Sequence, residues 1–184
     1  GIRDLVRSRG LGDVYKRQGW GPSAANEQAI GEISRWCERV SGGFFREPLN
    51  TLGNLGFVAA GLFMFYKITQ DATNNRDPLF GSFKIALLYA SASTFLGPGS
   101  MAMHGTHTAF GAWLDNVSMI SYILIFWLYN IKILKNLSNR TFFISYSILL
   151  SYYAYSYWFL DSGLGIGVDL FELADTEYDG ARSC

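Results

Sequence analysis

The two histidines of this chain lie close together in the stretch GPGSMAMHGTHTAFGAWLDN, residues 97–116, together with a serine and an aspartate. Ser100 and His104 are four residues apart, so they share a face if a helix continues through the Gly-Pro-Gly that precedes them. Asp115 follows eleven residues after His104. Ionisable side chains in such an apolar segment are costly unless they are paired or hydrated, and they indicate a functional site. Serine, histidine and aspartate together suggest hydrolysis.

Two kinds of hydrolytic site use these residue types. A serine triad needs an imidazole that bridges a serine and an aspartate, but Ser100 lacks the G-x-S-x-G elbow of many such enzymes. A catalytic zinc ion takes three protein ligands and a water, and His104 is a candidate ligand. His107 could share the metal, although a polar residue at a helix end near the interface is the favoured interpretation. The sequence therefore predicts part of a metal site.

A second polar cluster lies upstream in WCERVSGGFFREPLNTLGNLGF, residues 36–57. Glu38 and Glu47 precede Pro48, which suits the first position of a helix because its missing N–H is not needed there. Acidic residues near a helix N-terminus are favourable for electrostatic reasons alone. Oxygen-rich clusters can also hold calcium. The residue types leave both interpretations open.

Apolar elements must position these polar residues. The chain is 49% hydrophobic and 16% charged, whereas about 25% of an average soluble domain is charged. A membrane-spanning helix needs about 20 mostly apolar residues, and four runs without Asp, Glu, Lys or Arg reach or approach that length. A soluble helical protein is less favoured, since the runs lack a polar stripe. We predict an all-α transmembrane helical bundle with spans near 50–68, 83–103, 112–134 and 141–160.

The basic residues predict an orientation. Lys and Arg occur in the connections 67–84 and 131–140 and are absent from 104–112. By the positive-inside rule the first two connections are cytoplasmic. We therefore expect a multi-pass integral membrane protein with a non-cytoplasmic N-terminus. No basic stripe or glycine-rich phosphate loop occurs, so we expect neither nucleic acid nor a nucleotide as a partner.

Composition divides the chain into four parts. Residues 1–18 carry five basic side chains without periodicity and end in VYKRQ, which resembles translated sequencing-adapter sequence, so we expect a non-native leader. Residues 19–49 are predicted to form an interfacial segment, residues 50–173 a partial transmembrane bundle, and residues 174–184 a polar tail.

An ordered set of short motifs resembles the alkaline ceramidase family of the CREST group of membrane hydrolases, above all its bacterial members. The motifs W-C-E-R, F-F-R-E-P-L-N-T, S-M-A-M-H and W-L-D-N follow one another within residues 34–160. Each motif alone is weak, and their ordered combination is specific. The resemblance implies a bundle of seven helices, about four of which lie in this sequence, and a bacterial inner membrane as the location.

The resemblance also implies a site and a reaction. It assigns zinc to His104, together with two histidines of an H-x-x-x-H motif on the last helix, and it places Ser100 and Asp115 beside the metal as catalytic residues. The implied reaction is hydrolysis of ceramide or a related lipid amide to a sphingoid base and a fatty acid, in contact with membrane lipids.

A calcium site is a further implication of the resemblance. Glu38 and Glu47 occupy the positions of two carboxylate ligands, while Arg35 stands where the family has an acidic residue. A salt bridge from one of these glutamates to Arg39 or Arg46 accounts for the pattern equally well.

The H-x-x-x-H motif is absent from these 184 residues. We interpret the sequence either as a C-terminally truncated fragment or as a relative that has lost its metal, and we expect no hydrolase activity from it alone. Two alternatives belong to other classes. One is a receptor-like or structural membrane protein on the same scaffold, and the other is a small transporter subunit in which the Gly-Pro-Gly at 97–99 interrupts a helix.

Overall fold

The fold is given by a computed structural model that describes residues 29–34, 36–74 and 76–160. The leader predicted for 1–18 and the tail predicted for 174–184 lie outside these residues. Within the described ranges the chain forms helices and irregular connections, with an isolated antiparallel bridge between Ile33 and Arg39 and no strand. The prediction of an all-α chain is confirmed.

Four long helices and one short helix make up the bundle. They are α1 (Pro48–Gly53), α2 (Leu55–Thr73), α3 (Phe83–Thr106), α4 (Ala109–Lys135) and α5 (Asn139–Leu160). The first helix begins at Pro48, as predicted. The fourth begins three residues before the predicted 112, because the Thr108 side chain accepts a hydrogen bond from the Gly111 N–H and caps the helix there.

Helix α3 carries the first part of the candidate site. It continues through Pro98 to Thr106, so the condition that places Ser100 and His104 on one face is met. It ends at His107, whose backbone is left-handed at φ 52° and ψ 33° and whose N–H bonds to the Met103 carbonyl oxygen at 2.8 Å. This conformation is a common helix end, and it turns the chain directly into α4.

Close helix crossings depend on glycine. Helix α3 packs between α2 and α4, and α5 packs on α4. A Cβ atom built at Gly97 would lie 2.9 Å from the Asn54 carbonyl oxygen, and one built at Gly99 would lie 2.5 Å from the Ser118 Cβ. Small residues at such crossings are typical of helices that pack in membranes.

The buried core and the exposed faces are both apolar. One core cluster joins α3, α4 and α5 and comprises Ile85, Ala92, Ile125, Leu128, Phe142 and Tyr146. Large apolar side chains also remain exposed along the helices, including Leu62, Phe63, Ile123 and Trp127. Two helical stretches, Pro48–Thr73 and Ala109–Lys135, are long and apolar enough to cross a membrane, by length and composition alone. The number of spans, four, stays a prediction.

Candidate active site

The irregular N-terminal segment docks on the last turn of α3. The Arg46 N–H donates to the Gly105 carbonyl oxygen at 3.0 Å, and the Glu47 N–H donates to the His104 carbonyl oxygen at 2.9 Å. These carbonyl oxygens belong to the last turn of α3, where no backbone N–H of the same helix is available as a donor. The docked segment supplies the missing donors and brings the Glu47 side chain to the two histidines.

Glu47 lies at the centre of a buried hydrogen-bond network. Its side chain has no exposed surface. Its Oε2 lies 2.6 Å from the His104 Nδ1 and accepts from the Asn50 Nδ2 at 2.9 Å, while its Oε1 lies 3.1 Å from the His107 Nε2. The Ser34 side chain also hydrogen bonds to this carboxylate. Four side chains therefore converge on one carboxylate.

These partners decide the charge of Glu47. Burial raises the pKa of this carboxyl, but the hydrogen bonds from His104, His107, Ser34 and Asn50 lower it by more and hold it well below its usual range. The carboxylate is ionised, and each imidazole presents a nitrogen to it. From the sequence, Glu47 was a candidate calcium ligand, a partner of arginine or an acidic residue near a helix N-terminus, and its contact with the two histidines was not predicted.

Glu38 has a different role in the structure. Its Oε1 accepts from the Leu49 N–H and its Oε2 from the Asn50 N–H, both at 2.8 Å. The two amides belong to the first turn of α1, so Glu38 caps this helix from the preceding segment. Arg39 donates instead to the Gly31 carbonyl oxygen at 2.6 Å.

The three residues predicted for hydrolysis meet between α3 and α4. Ser100, His104 and Asp115 are each at most 9% exposed, and the Ser100 side chain hydrogen bonds to the Asp115 carboxylate. Asp115 lies in the second turn of α4 rather than at its start, because α4 begins at Ala109. Its Oδ1 is buried and has no hydrogen-bond partner among the described residues. The structure therefore brings these three side chains together, and their roles in hydrolysis stay a prediction.

Two aromatic contacts complete the surroundings of the imidazoles. His107 lies at the predicted helix end but is only 2% exposed, so it faces the interior rather than the interface. The Trp36 ring meets the His104 ring edge to face, with centroids 4.7 Å apart, and lies 6.3 Å from the His107 ring. Two features of the sequence pointed to this region, namely the H-x-x-H spacing of the histidines and Trp36 two residues before Glu38. Neither feature alone shows that Trp36 and Glu47 contact the imidazoles.

Comparison with known proteins gives the family. A family model described as Ceramidase matches residues 33–165, which is more than half of the chain. The chain belongs to the ceramidase family. No curated protein and no solved structure matches it. The match includes every residue of the site described above, and it identifies this ceramidase family member as a hydrolase of lipid metabolism with a lipid amide as its general class of substrate.

The donor set of this ceramidase family member fits one part of a zinc site. The Nδ1 of His104 faces Glu47, which leaves Nε2 as the nitrogen open to a metal. A carboxylate behind a metal-binding histidine is the usual arrangement, and the unpaired Oδ1 of Asp115 lies in the same site. No group of three His, Cys, Asp or Glu side chains that could hold a metal occurs in the described part of the chain. These residues therefore supply one imidazole and a neighbouring carboxylate.

Proposed function

We propose that the protein is a membrane-embedded, zinc-dependent amide hydrolase that cleaves ceramide or a related lipid amide to a sphingoid base and a fatty acid. The family match supports the hydrolase class and a lipid amide in general. The observation that carries the finer proposal is the buried meeting of Ser100, His104 and Asp115, in which one imidazole nitrogen and one carboxylate oxygen remain available.

Each residue has a role in this proposal. His104 would hold zinc, which when bound would lower the pKa of a water toward about 7 and polarise a carbonyl. Asp115 accepts a proton from the attacking water, and the Ser100 hydroxyl donates to the oxyanion as it develops. The water oxygen bonds to the carbonyl carbon, the C–N bond breaks, and Asp115 returns the proton to the leaving amine.

The rest of the ligand set is part of the proposal. Only two histidines occur in the 184 residues, and the His107 Nε2 faces the Glu47 Oε1 at 3.1 Å. A three-histidine site therefore needs two imidazoles from residues outside this sequence. We propose that these two imidazoles belong to an H-x-x-x-H motif, which is what the family resemblance implies.

A membrane location supports a lipid substrate. Exposed apolar side chains along the helices and two stretches long enough to span a bilayer favour an integral membrane protein. We propose a multi-pass protein of a bacterial inner membrane, with the N-terminus on the non-cytoplasmic side. The site lies where α3 ends and α4 begins, so it would open near the interface, where the amide of a membrane lipid lies.

The test uses the protein encoded by the whole source gene, expressed in membranes and purified in detergent. Zinc per protein and release of fatty acid from ceramide are measured for the wild type, His104→Ala and His107→Ala. We expect the wild type to bind zinc and release fatty acid. His104→Ala removes the proposed ligand and should lose both, whereas His107→Ala is the matched control and should retain zinc.

Two results would overturn the proposal. A whole protein that contains no zinc and releases no fatty acid excludes the proposed reaction. Zinc that stays bound at the wild-type level in a folded His104→Ala variant excludes the assignment of His104 as the ligand.

A further inference from the structure

The four donors on Glu47 use the full accepting capacity of its side chain. An ionised carboxylate offers about four lone-pair positions. His104, His107, Asn50 and Ser34 each supply one hydrogen-bond donor, and the side chain has no surface left for solvent. Each further ligand would have to displace one of these donors.

This arrangement does not fit calcium. Calcium binds six to eight oxygen ligands, whereas the groups that face Glu47 include two imidazole nitrogens and one amide nitrogen. Both oxygens of Glu38 face backbone N–H groups of α1. The two carboxylates that resemble calcium ligands are thus surrounded by hydrogen-bond donors, which a cation cannot replace without breaking the docking of the segment.

We infer that Glu47 is a positioning residue that clamps both imidazoles and thereby locks the N-terminal segment onto α3 in place of a calcium ion. Its role in chemistry rests on the proposed function, whereas the clamp itself does not require zinc or substrate. An ionised carboxylate can only accept hydrogen bonds, so its contacts with the His104 Nδ1 and the His107 Nε2 fix the two rings in opposite tautomers. His104 then keeps Nε2 unprotonated and open, as a metal-binding nitrogen must be.

Nitrogen NMR distinguishes the protonated from the unprotonated nitrogen of an imidazole ring. The chain contains only two histidines, so the spectrum holds signals from two rings. The 184-residue chain is labelled with ¹⁵N-histidine and measured in detergent without zinc, at mildly alkaline pH. We expect a protonated Nδ1 in His104 and a protonated Nε2 in His107. In Glu47→Gln the amide oxygen can still accept a hydrogen bond from one ring, whereas the NH₂ group can only donate. The ring that faces the NH₂ group should therefore no longer be held in its wild-type tautomer. Glu38→Gln is the matched control and should leave both rings unchanged.

Calcium supplies an independent measurement on the wild type. A calcium site filled at about one hundred times its Kd would raise the Tm of a protein of this size by roughly 5–10 °C. We expect no measurable difference in Tm, and no change in the ring signals, between calcium and a chelator.

Three results would overturn the inference, even if Glu47→Gln fails to fold. They are mixed tautomers in wild-type His104, the same protonated nitrogen in both rings, and a calcium-dependent rise in Tm. A failure of ceramide hydrolysis in the whole protein leaves these measurements unaffected, so the two proposals can fail separately.

Discussion

Replacement of Gly99 by alanine tests the close contact on which the site depends. This glycine lies in α3, one residue before Ser100. It faces Ser118 of α4, which is three residues after Asp115. A methyl group placed there would enter the space in which α3 and α4 touch. The helices must separate before the substitution can be accommodated.

The magnitude follows from the geometry. The new Cβ would lie 2.5 Å from the Ser118 Cβ and 3.1 Å from the Leu114 carbonyl oxygen. Since two carbon atoms favour a separation of about 3.5 Å or more, α4 must move by about 1 Å. Overpacking of this kind costs about 1–3 kcal/mol. In a protein of this size that corresponds to a decrease in Tm of roughly 2–12 °C.

Thermal unfolding in detergent, followed by circular dichroism, measures the effect. Gly56→Ala is the matched control, because a Cβ at Gly56 meets no atom within 4 Å, and it should not lower the Tm. If the whole protein hydrolyses ceramide as proposed, Gly99→Ala should also reduce hydrolysis by about a hundredfold, since a misplacement of about 1 Å at a reacting site has that effect. If Gly99→Ala is as stable as Gly56→Ala, the reasoning about the crossing is wrong.

Two further predictions concern activity and packing. The 184-residue chain should release no fatty acid from ceramide, because it holds only two histidines; release that disappears in His104→Ala would contradict this. Phe142→Ala should destabilise the protein by about 3–5 kcal/mol, since Phe142 is 1% exposed in the core. Phe63→Ala, at a position that is 63% exposed, is the control, and equal decreases in Tm for the two variants would refute the assignment of the core.

Local features of the bundle could be predicted from the sequence because they depend on neighbours along the chain. The start of α1 at Pro48 follows from the fixed φ and the missing N–H of proline. The shared face of Ser100 and His104 follows from a spacing of four residues in a helix. The long apolar runs without charged residues predicted the all-α class, since their length suits long helices.

The roles of the glutamates depended on tertiary structure. Glu47 is separated by 57 residues from His104 and by 60 residues from His107. Residue types and the family resemblance left it as a calcium ligand, a partner of arginine or an acidic residue near a helix N-terminus. The position of Asp115 near Ser100 likewise needed the turn at His107 and the close glycine crossing, which no local pattern specifies. The sequence by itself determined which groups were available for chemistry, whereas the docking of the N-terminal segment on α3 decided which donor each carboxylate meets.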